Sequence, residues 1–255
     1  MNDYYILFLP VIACAAFFLK GLTGFGPALL VIPLGSLLFP PYAILVASSF
    51  LDLIAGALLY RTARTETKRG LLFGLVISMV LGTFLGTYAL SSVPVESYKV
   101  LLGIAVILLG GWFAFLQPNT ASDHLRDTLP EDCDRHDLGC SFLAGMSGGL
   151  FGVSGPPIIW HFGRRYRKTA FRDLLIVFFV FAAMARVFSF SVAGIVGREA
   201  VLYTLASLPG LVIGLYLGNK AFLKIDETRF SQAVGLLLMV IAVPLVFPGI
   251  SIGRN

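Results

Sequence analysis

The sequence predicts an all-α integral membrane protein built from two inverted repeats of about five membrane spans each. Three observations predict this fold class: the composition, the series of long apolar runs, and a Gly/Pro break at matching positions in each half. Of the 255 residues, 57% are hydrophobic and only 13% are charged, whereas soluble domains carry roughly 25% charged residues. We therefore expect lipid, and not water, to solvate the outer surface of the helices.

Apolar runs follow one another along the whole chain. A membrane-spanning helix needs about 20 predominantly apolar residues. Runs close to that length are predicted as spans at 4–19, 25–39, 41–60, 70–90, 98–116, 138–153, 173–192, 199–218 and 229–247. A further run at 155–163 is too short to cross unless it is re-entrant or extended at its ends. The expected number of spans is therefore eight to ten.

Two breaks interrupt these runs near the start of each half. The segment Lys20-Gly21-Leu22-Thr23-Gly24 separates the first two runs, and Gly152-Val153-Ser154-Gly155-Pro156-Pro157 precedes the short run. Clusters of glycine and proline end helices. Each half is therefore expected to open with a hairpin of helices that is broken or re-entrant.

The breaks belong to an internal repeat. Gly21-Leu22-x-Gly24 recurs 128 residues later as Gly149-Leu150-x-Gly152, and Gly82-x-x-x-Gly86 recurs at the same offset as Gly210-x-x-x-Gly214. On spanning helices, Gly-x-x-x-Gly is a face for close helix packing. The predicted organisation is a first membrane repeat at 1–116, a polar cytoplasmic loop at 117–137, and a second membrane repeat at 138–255.

The charges of the loops indicate how the halves lie in the membrane. Segments 61–69 and 164–172 hold four and five Arg or Lys residues, and basic loops of this kind face the cytoplasm. Their counterparts at an offset of 128, segments 189–197 and 36–44, hold none. The two halves are therefore predicted to have opposite orientations. We expect a multi-pass protein of the bacterial cytoplasmic (inner) membrane with both termini in the periplasm.

Matched breaks in inverted repeats indicate where a transporter binds its substrate. A helix that starts at such a break offers free backbone N–H groups and the positive end of its dipole to an anion. Thr23 and Ser154 are either hydroxyl donors to a ligand or caps of the half-helices. The candidate substrate contacts at the breaks are Thr23, Gly24, Phe25, Gly26, Pro27, Gly152, Ser154, Gly155 and Pro156.

The two breaks also resemble a known family. Gly21-Leu22-Thr23-Gly24-Phe25-Gly26-Pro27, followed by Ile32-Pro33-Leu34, is similar to the signature that opens the first half of the sulfite exporter TauE/SafE family, also called the toluene-sulfonate uptake permeases. Gly149 to Pro157 resembles the signature of its second half. The resemblance covers essentially the whole chain, but Pro27, Pro156 and Trp160-His161 depart from the usual pattern. It implies transport of a small sulfur-containing anion (sulfite, thiosulfate, a sulfonate or sulfoacetate) or a small carboxylate.

Four ionisable residues lie in or near the predicted spans, where a charge is expensive and usually functional. For Arg186 three roles stay open: coordination of the anion, a structural pair with Asp52, and snorkelling to the interface. Asp52 is expected to be a partner of that arginine or a proton-coupling group. Lys20 either reaches the substrate or marks the cytoplasmic boundary. His161 is either a titrating group near neutral pH or a residue of the membrane interface.

The remaining motifs indicate what the protein lacks. Cys133 and His136 are spaced like a metal-ligand pair, but a second pair is missing, and His124 lies in the same polar loop. We therefore expect no metal site and no cofactor. No Gly-x-x-x-x-Gly-Lys-Ser/Thr motif is present, so the chain holds no ATP site of that type. The net charge of +5 is assigned to cytoplasmic loops facing anionic lipid and not to a nucleic-acid partner.

The expected function is secondary transport of a small anion across the lipid bilayer, by alternating access through rocking of the two inverted halves. Coupling to protons or sodium, and assembly into a homo-oligomer, stay open. The alternative is an intramembrane enzyme or a membrane assembly factor. An enzyme is not expected, because none of the three histidines shares a predicted depth with both a carboxylate and a Ser or Cys.

Overall fold

The computed structural model describes residues 3–23, 26–60, 69–116, 133–163, 168–221 and 227–246. In these ranges the chain forms ten α-helices and no strand, which confirms the all-α prediction. They are α1 (Phe8–Thr23), α2 (Pro27–Leu38), α3 (Pro41–Tyr60), α4 (Arg69–Ser91), α5 (Val95–Gly111), α6 (Arg135–Phe151), α7 (Gly155–Phe162), α8 (Lys168–Val192), α9 (Arg198–Ala221) and α10 (Glu227–Val246). A 3₁₀ turn, Asp3–Leu7, precedes α1, and a π-helical turn, Trp112–Leu116, follows α5. Gly24, Phe25 and most of the predicted loops 61–69 and 117–137 lie outside the described residues.

Several helices are built to cross a bilayer. Within the described ranges, five stretches are long and apolar enough to span: Tyr5–Leu22, Pro41–Tyr60, Gly70–Ser91, Phe171–Val192 and Arg198–Ala221. Large apolar side chains also cover the outside, where Phe73, Tyr88 and Val240 are each exposed by about 70%. Water would penalise this surface and hydrocarbon would not. The chain is therefore a multi-pass membrane protein.

Helices α2 and α7 are too short to cross on their own. Their 12 and 8 residues give lengths of about 18 Å and 12 Å at 1.5 Å per residue, against about 30 Å of hydrocarbon. Each follows directly after one of the Gly/Pro breaks. The prediction that the run at 155–163 is too short for a full span is confirmed by α7.

Glycines bring two pairs of helices into backbone contact. A methyl group on Gly210, Gly214 or Gly218 of α9 would overlap the backbone of Pro10, Cys14 or Phe18 of α1. A methyl group on Gly82 or Gly86 of α4 would likewise overlap the backbone of α6 at Phe142 or Met146. The contacts advance in the same direction along both helices of each pair, so each pair is parallel. The predicted packing role of Gly-x-x-x-Gly is confirmed.

The match between the glycines of the two halves differs from the sequence prediction by one helical turn. Gly82 contacts Phe142, and the residue 128 positions before Phe142 is Cys14, which contacts Gly214 and not Gly210. Gly82 and Gly214 are 132 positions apart. Because glycines recur every four residues in α9, the sequence pattern fits the offsets 128 and 132 equally well, and the repeat itself stays a prediction.

Candidate functional site

The first break lies between α1 and α2. Gly26 immediately precedes α2 with a φ of 93°, a left-handed conformation that glycine adopts without a steric penalty. Pro27 follows at the first position of the helix, where its missing N–H costs nothing and its fixed φ suits the turn. Gly24, Phe25 and the side chain of Thr23 lie outside the described part of the chain, so their predicted contacts stay predictions.

The second break lies between α6 and α7. Gly152 ends α6 with a φ of 75°, and its N–H donates to the carbonyl oxygen of Gly148 at 2.9 Å. Ser154 precedes α7, but its hydroxyl makes no capping hydrogen bond to the helix. It accepts a hydrogen bond from Nη1 of Arg186 at 3.2 Å instead. The interpretation of Ser154 as a side-chain cap is therefore wrong.

The two breaks meet around one small cavity. Its lining combines both breaks with side chains from α1, α3 and α8: Lys20, Gly26, Pro27, Ala28, Asp52, Gly152, Val153, Ser154, Gly155, Phe179 and Arg186. Eight of the residues singled out from the sequence are among them, whereas Pro156 and His161 are not. The space holds about one water molecule. An anion with several oxygen atoms enters only if the surrounding helices separate.

Three charged side chains meet at this cavity. Asp52 in α3 lies between two cations: Nη2 of Arg186 donates to its Oδ2 at 2.5 Å, and Nζ of Lys20 donates to its Oδ1. Nζ of Lys20 also donates to the backbone carbonyl of Asp52 at 3.2 Å. Lys20 and Arg186 are each 1% exposed and Asp52 is 4% exposed. We refer to Lys20, Asp52 and Arg186 as the charge cluster.

The charge cluster carries one more positive than negative charge. Both oxygens of Asp52 are engaged, while Nε of Arg186 is buried and has no hydrogen-bond partner among the described residues. Each break also joins the negative C-terminal end of one helix to the positive N-terminal end of the next, so the two dipoles oppose each other. The side-chain charges therefore determine the sign of the site. A net positive, donor-rich cavity is suited to an anion.

These contacts decide between some of the roles predicted for the cations. A solvated position of Lys20 at the cytoplasmic boundary is wrong, because the side chain is buried against the middle of α3. Snorkelling of Arg186 is wrong for the same reason. The pair between Arg186 and Asp52 is present, but Asp52 is shared with Lys20, which the sequence did not reveal.

Comparison with known proteins identifies the family. The model of the family described as "Sulfite exporter TauE/SafE" matches residues 8–245 of the chain. The chain belongs to the TauE/SafE family. It is also 30% identical over 183 residues to a protein of Cupriavidus necator named "Probable sulfite/organosulfonate exporter TauE", a match that spans 70% of this chain and 66% of that relative. No solved structure matches.

This TauE/SafE chain contains a second buried polar pair, which sequence reasoning missed. Nε2 of His161 in α7 lies 2.5 Å from Oδ1 of Asp137 in α6, and the two residues are 8% and 3% exposed. The other oxygen of Asp137 accepts a hydrogen bond from the backbone N–H of Asp134 at 2.9 Å as part of a capping box. His161 therefore lies beside a carboxylate, which is one of the two groups that the expectation for an enzyme required together with a Ser or Cys.

The candidate metal pair of the TauE/SafE chain makes other contacts. The thiol of Cys133 donates to the carbonyl oxygen of Leu71 at 3.0 Å and packs against Gly74. The side chain of His136 is exposed. No group of three His, Cys, Asp or Glu side chains in the described ranges is arranged to hold a metal ion. His124 lies outside those ranges.

Proposed function

We propose that the protein is a secondary transporter that binds a small oxyanion at the charge cluster between the two helix breaks. One observation carries this proposal: two buried cations share a single carboxylate, which leaves one positive charge and several N–H donors directed at the meeting point of the breaks. A buried charge without a counter-ion is unfavourable. A transported anion supplies the missing counter-ion.

The proposed substrate is sulfite or a small organosulfonate. The name of the Cupriavidus necator relative supports this class, and so does the donor set. A guanidinium group offers paired N–H donors that match two oxygens of one sulfur or carboxylate group. Small carboxylates share that geometry and are the second substrate class. Apolar walls formed by Ala28, Val153 and Phe179 suit the carbon part of an organic anion.

Two inverted repeats form the proposed architecture, with both termini in the periplasm of a bacterium. Helix directions support it. In the cross-half pair α3–α8, the contacts Asp52–Arg186 and Gly56–Val180 run in opposite senses, as inverted equivalents must.

Helices α5 and α10 support the same architecture independently. Gly103 of α5 contacts Val246 of α10, and Gly235 of α10 contacts Ala114 in the π-helical turn that follows α5. Both equivalences, Gly103 with Gly235 and Ala114 with Val246, have an offset of 132, the same as in α4 and α9. In this proposed alignment, equivalent positions are 128 residues apart in α1 and α6. They are 132 residues apart in the last two helices of each half, which is a difference of about one helical turn.

Alternating access in this architecture requires moving units other than the sequence halves. The backbone contacts of α1 with α9 and of α4 with α6 each join the first half to the second. Rocking of one half against the other would break both sets of close contacts. We therefore assign α1 and α9 to one unit and α4 and α6 to the other. In this assignment Lys20 belongs to the unit of α1 and α9. Ser154 follows α6 directly and belongs to the unit of α4 and α6. Separation of the two units would therefore move Lys20 away from Ser154 and open the cavity.

The test is sulfite transport by the variant Arg186→Met. Removing the guanidinium leaves Lys20 paired with Asp52, so the protein is expected to insert and fold with a neutral cluster. Loss of a charge-assisted donor pair should weaken anion binding roughly 10- to 100-fold. Uptake of labelled sulfite into proteoliposomes measures the effect. Arg198→Met is the matched control, because Arg198 is exposed at the start of α9 and should transport normally.

A second pair of variants separates a binding role from a structural one. Arg186→Lys keeps the charge and loses the planar donors, so it should fold and transport with weaker affinity. The double variant combines Arg186→Met with Asp52→Asn. If Arg186 served only as the partner of Asp52, this double variant would regain wild-type transport. That result would remove Arg186 from the proposed binding site.

A further inference from the structure

We propose that the charge cluster selects its ligand by charge, and favours a group with one negative charge over a group of the same shape with two. This inference rests on the anion-binding function proposed above and specifies the substrate class of the same site. The chemical form it assigns to sulfite is the hydrogensulfite ion, and for organic substrates it is a sulfonate or carboxylate head group with a single charge.

The first step of the argument is the charge balance. Lys20 and Arg186 contribute two positive charges and Asp52 contributes one negative charge, all nearly inaccessible to water. No other ionisable side chain is among the residues that line the cavity in the described part of the chain. One singly charged ligand makes the site neutral, whereas a doubly charged group leaves one uncompensated negative charge, which is costly in a buried site.

The second step is that the helix ends in the described part of the chain supply no additional positive charge to the site. The N-terminal ends of α2 and α7 face the cavity, but α1 and α6 end at the same breaks. The opposed dipoles contribute little net charge. The balance of the three side chains therefore sets the preference.

The third step concerns the number of donors. A guanidinium carries five N–H donors and an ammonium carries three. Asp52 and Ser154 take one donor each from Arg186, and Asp52 takes two from Lys20. Four donors are left for a ligand, enough for the three oxygens of one sulfonate group.

Methanesulfonate and sulfate are the matched ligands for the test, because they share a tetrahedral sulfur and differ by a methyl group in place of a charged oxygen. Binding to the purified protein in detergent is measured by calorimetry at constant ionic strength. The wild-type protein is expected to bind methanesulfonate at least roughly tenfold more tightly than sulfate. Equal binding, or tighter binding of sulfate, would overturn the proposed charge selection.

Three variants change the charge of the cluster in steps. Lys20→Met makes it neutral and should weaken the binding of both ligands. Asp52→Asn raises it to two positive charges and should shift the preference toward sulfate. The double variant Lys20→Met with Asp52→Asn returns to one positive charge and should again prefer methanesulfonate, which also covers the case in which Asp52→Asn alone does not fold. If the preference for methanesulfonate over sulfate stays the same in all three variants, the inference is wrong.

The outcomes separate this inference from the proposed function. If sulfate binds as well as methanesulfonate and Arg186→Met abolishes both, the anion site stands and charge selection is wrong. If the wild-type protein binds neither ligand and transports no sulfite, both proposals are wrong.

Discussion

The two helix breaks share a backbone plan but obtain their cations in different ways. In the first break, α1 itself carries Lys20 in its last turn. In the second break, the position 128 residues further on is Gly148, which has no side chain, and the cation Arg186 comes from α8. A methyl group on Gly148 would overlap the hydroxyl of Ser154 and would lie 3.7 Å from Nη1 of Arg186. At this position the second half therefore has no side chain of its own, and the hydroxyl of Ser154 occupies the space beside Gly148.

This difference indicates that two segments with the same pattern of helix breaks need not carry charged residues at the same positions. Gly/Pro breaks recur because both hairpins must end a helix inside the protein. The charges do not recur, because a second lysine at position 148 would add another buried cation beside Arg186. The matched breaks therefore indicate where the proposed binding site lies, whereas the tertiary structure shows which charged side chains lie beside them.

The largest expected contrast is between the left-handed glycines of the two breaks. Gly152→Ala combines an unfavourable φ with overlap of the new methyl group on the buried side chains of Ile32 and Leu45, and we expect a loss of about 2–5 kcal/mol in the free energy of unfolding. At Gly26 the nearest atom to the new methyl group, Cδ2 of Leu19, is 3.5 Å away. Gly26→Ala should therefore cost only the backbone penalty of about 1–2 kcal/mol. Thermal unfolding in detergent measures both, and equal losses would contradict the distinction.

A smaller contrast is expected between two glycines of α6. Gly148→Ala should displace Ser154 from Arg186 and weaken sulfite binding roughly tenfold, since it disrupts a charge-assisted hydrogen bond. Gly139→Ala is the matched control, because apart from the backbone of α6 itself and the two neighbouring residues no atom of the described chain lies within 4 Å of the position its methyl group would take. Calorimetric titration with sulfite compares the two. Unchanged affinity in Gly148→Ala would show that the contact between Ser154 and Arg186 does not prepare the site.

The smallest expected effect concerns a restraint on the first break. Nη2 of Arg172 donates to the carbonyl oxygen of Gly21 at 3.1 Å and to Oδ1 of Asn219 at 2.7 Å, whereas the residue 128 positions earlier is Ile44. Arg172→Lys keeps the charge but replaces the planar guanidinium whose Nη2 makes both hydrogen bonds, so we expect a loss of stability of about 1 kcal/mol. Arg135→Lys, exposed at the start of α6, is the control for thermal unfolding. A larger loss in the control would refute the restraint.

Local chemistry made the helices and their breaks predictable. Gly/Pro clusters mark 24–27 and 152–157, and the spacing of Gly82 and Gly86 predicted a packed face that the structure confirms. The pair of Arg186 with Asp52 was one of three alternatives, because both residues were isolated charges in apolar runs. The opposite orientation of the halves remains a prediction.

Contacts between distant helices were not predictable in the same way. Lys20 reaches Asp52 because α1 continues to Thr23, beyond the predicted run at 4–19, and packs near α3. The local sequence predicts neither the end of α1 at Thr23 nor its packing near α3. A signal did exist for Asp137: the pair Asp134-x-x-Asp137 is a capping pattern, which starts α6 at Arg135 and removes Asp137 from the predicted loop.

The close contact between α1 and α9 has a consequence for how the chain is made. Contacting residues such as Cys14 and Gly214 are 200 positions apart, so α1 enters the membrane long before its partner exists. Until α9 is synthesised, the face of α1 that α9 will cover meets lipid or other helices. Non-local contacts of this kind form late and slow folding. A ribosome that stalls before Arg198 would therefore leave a nascent chain whose first helix still lacks its neighbour.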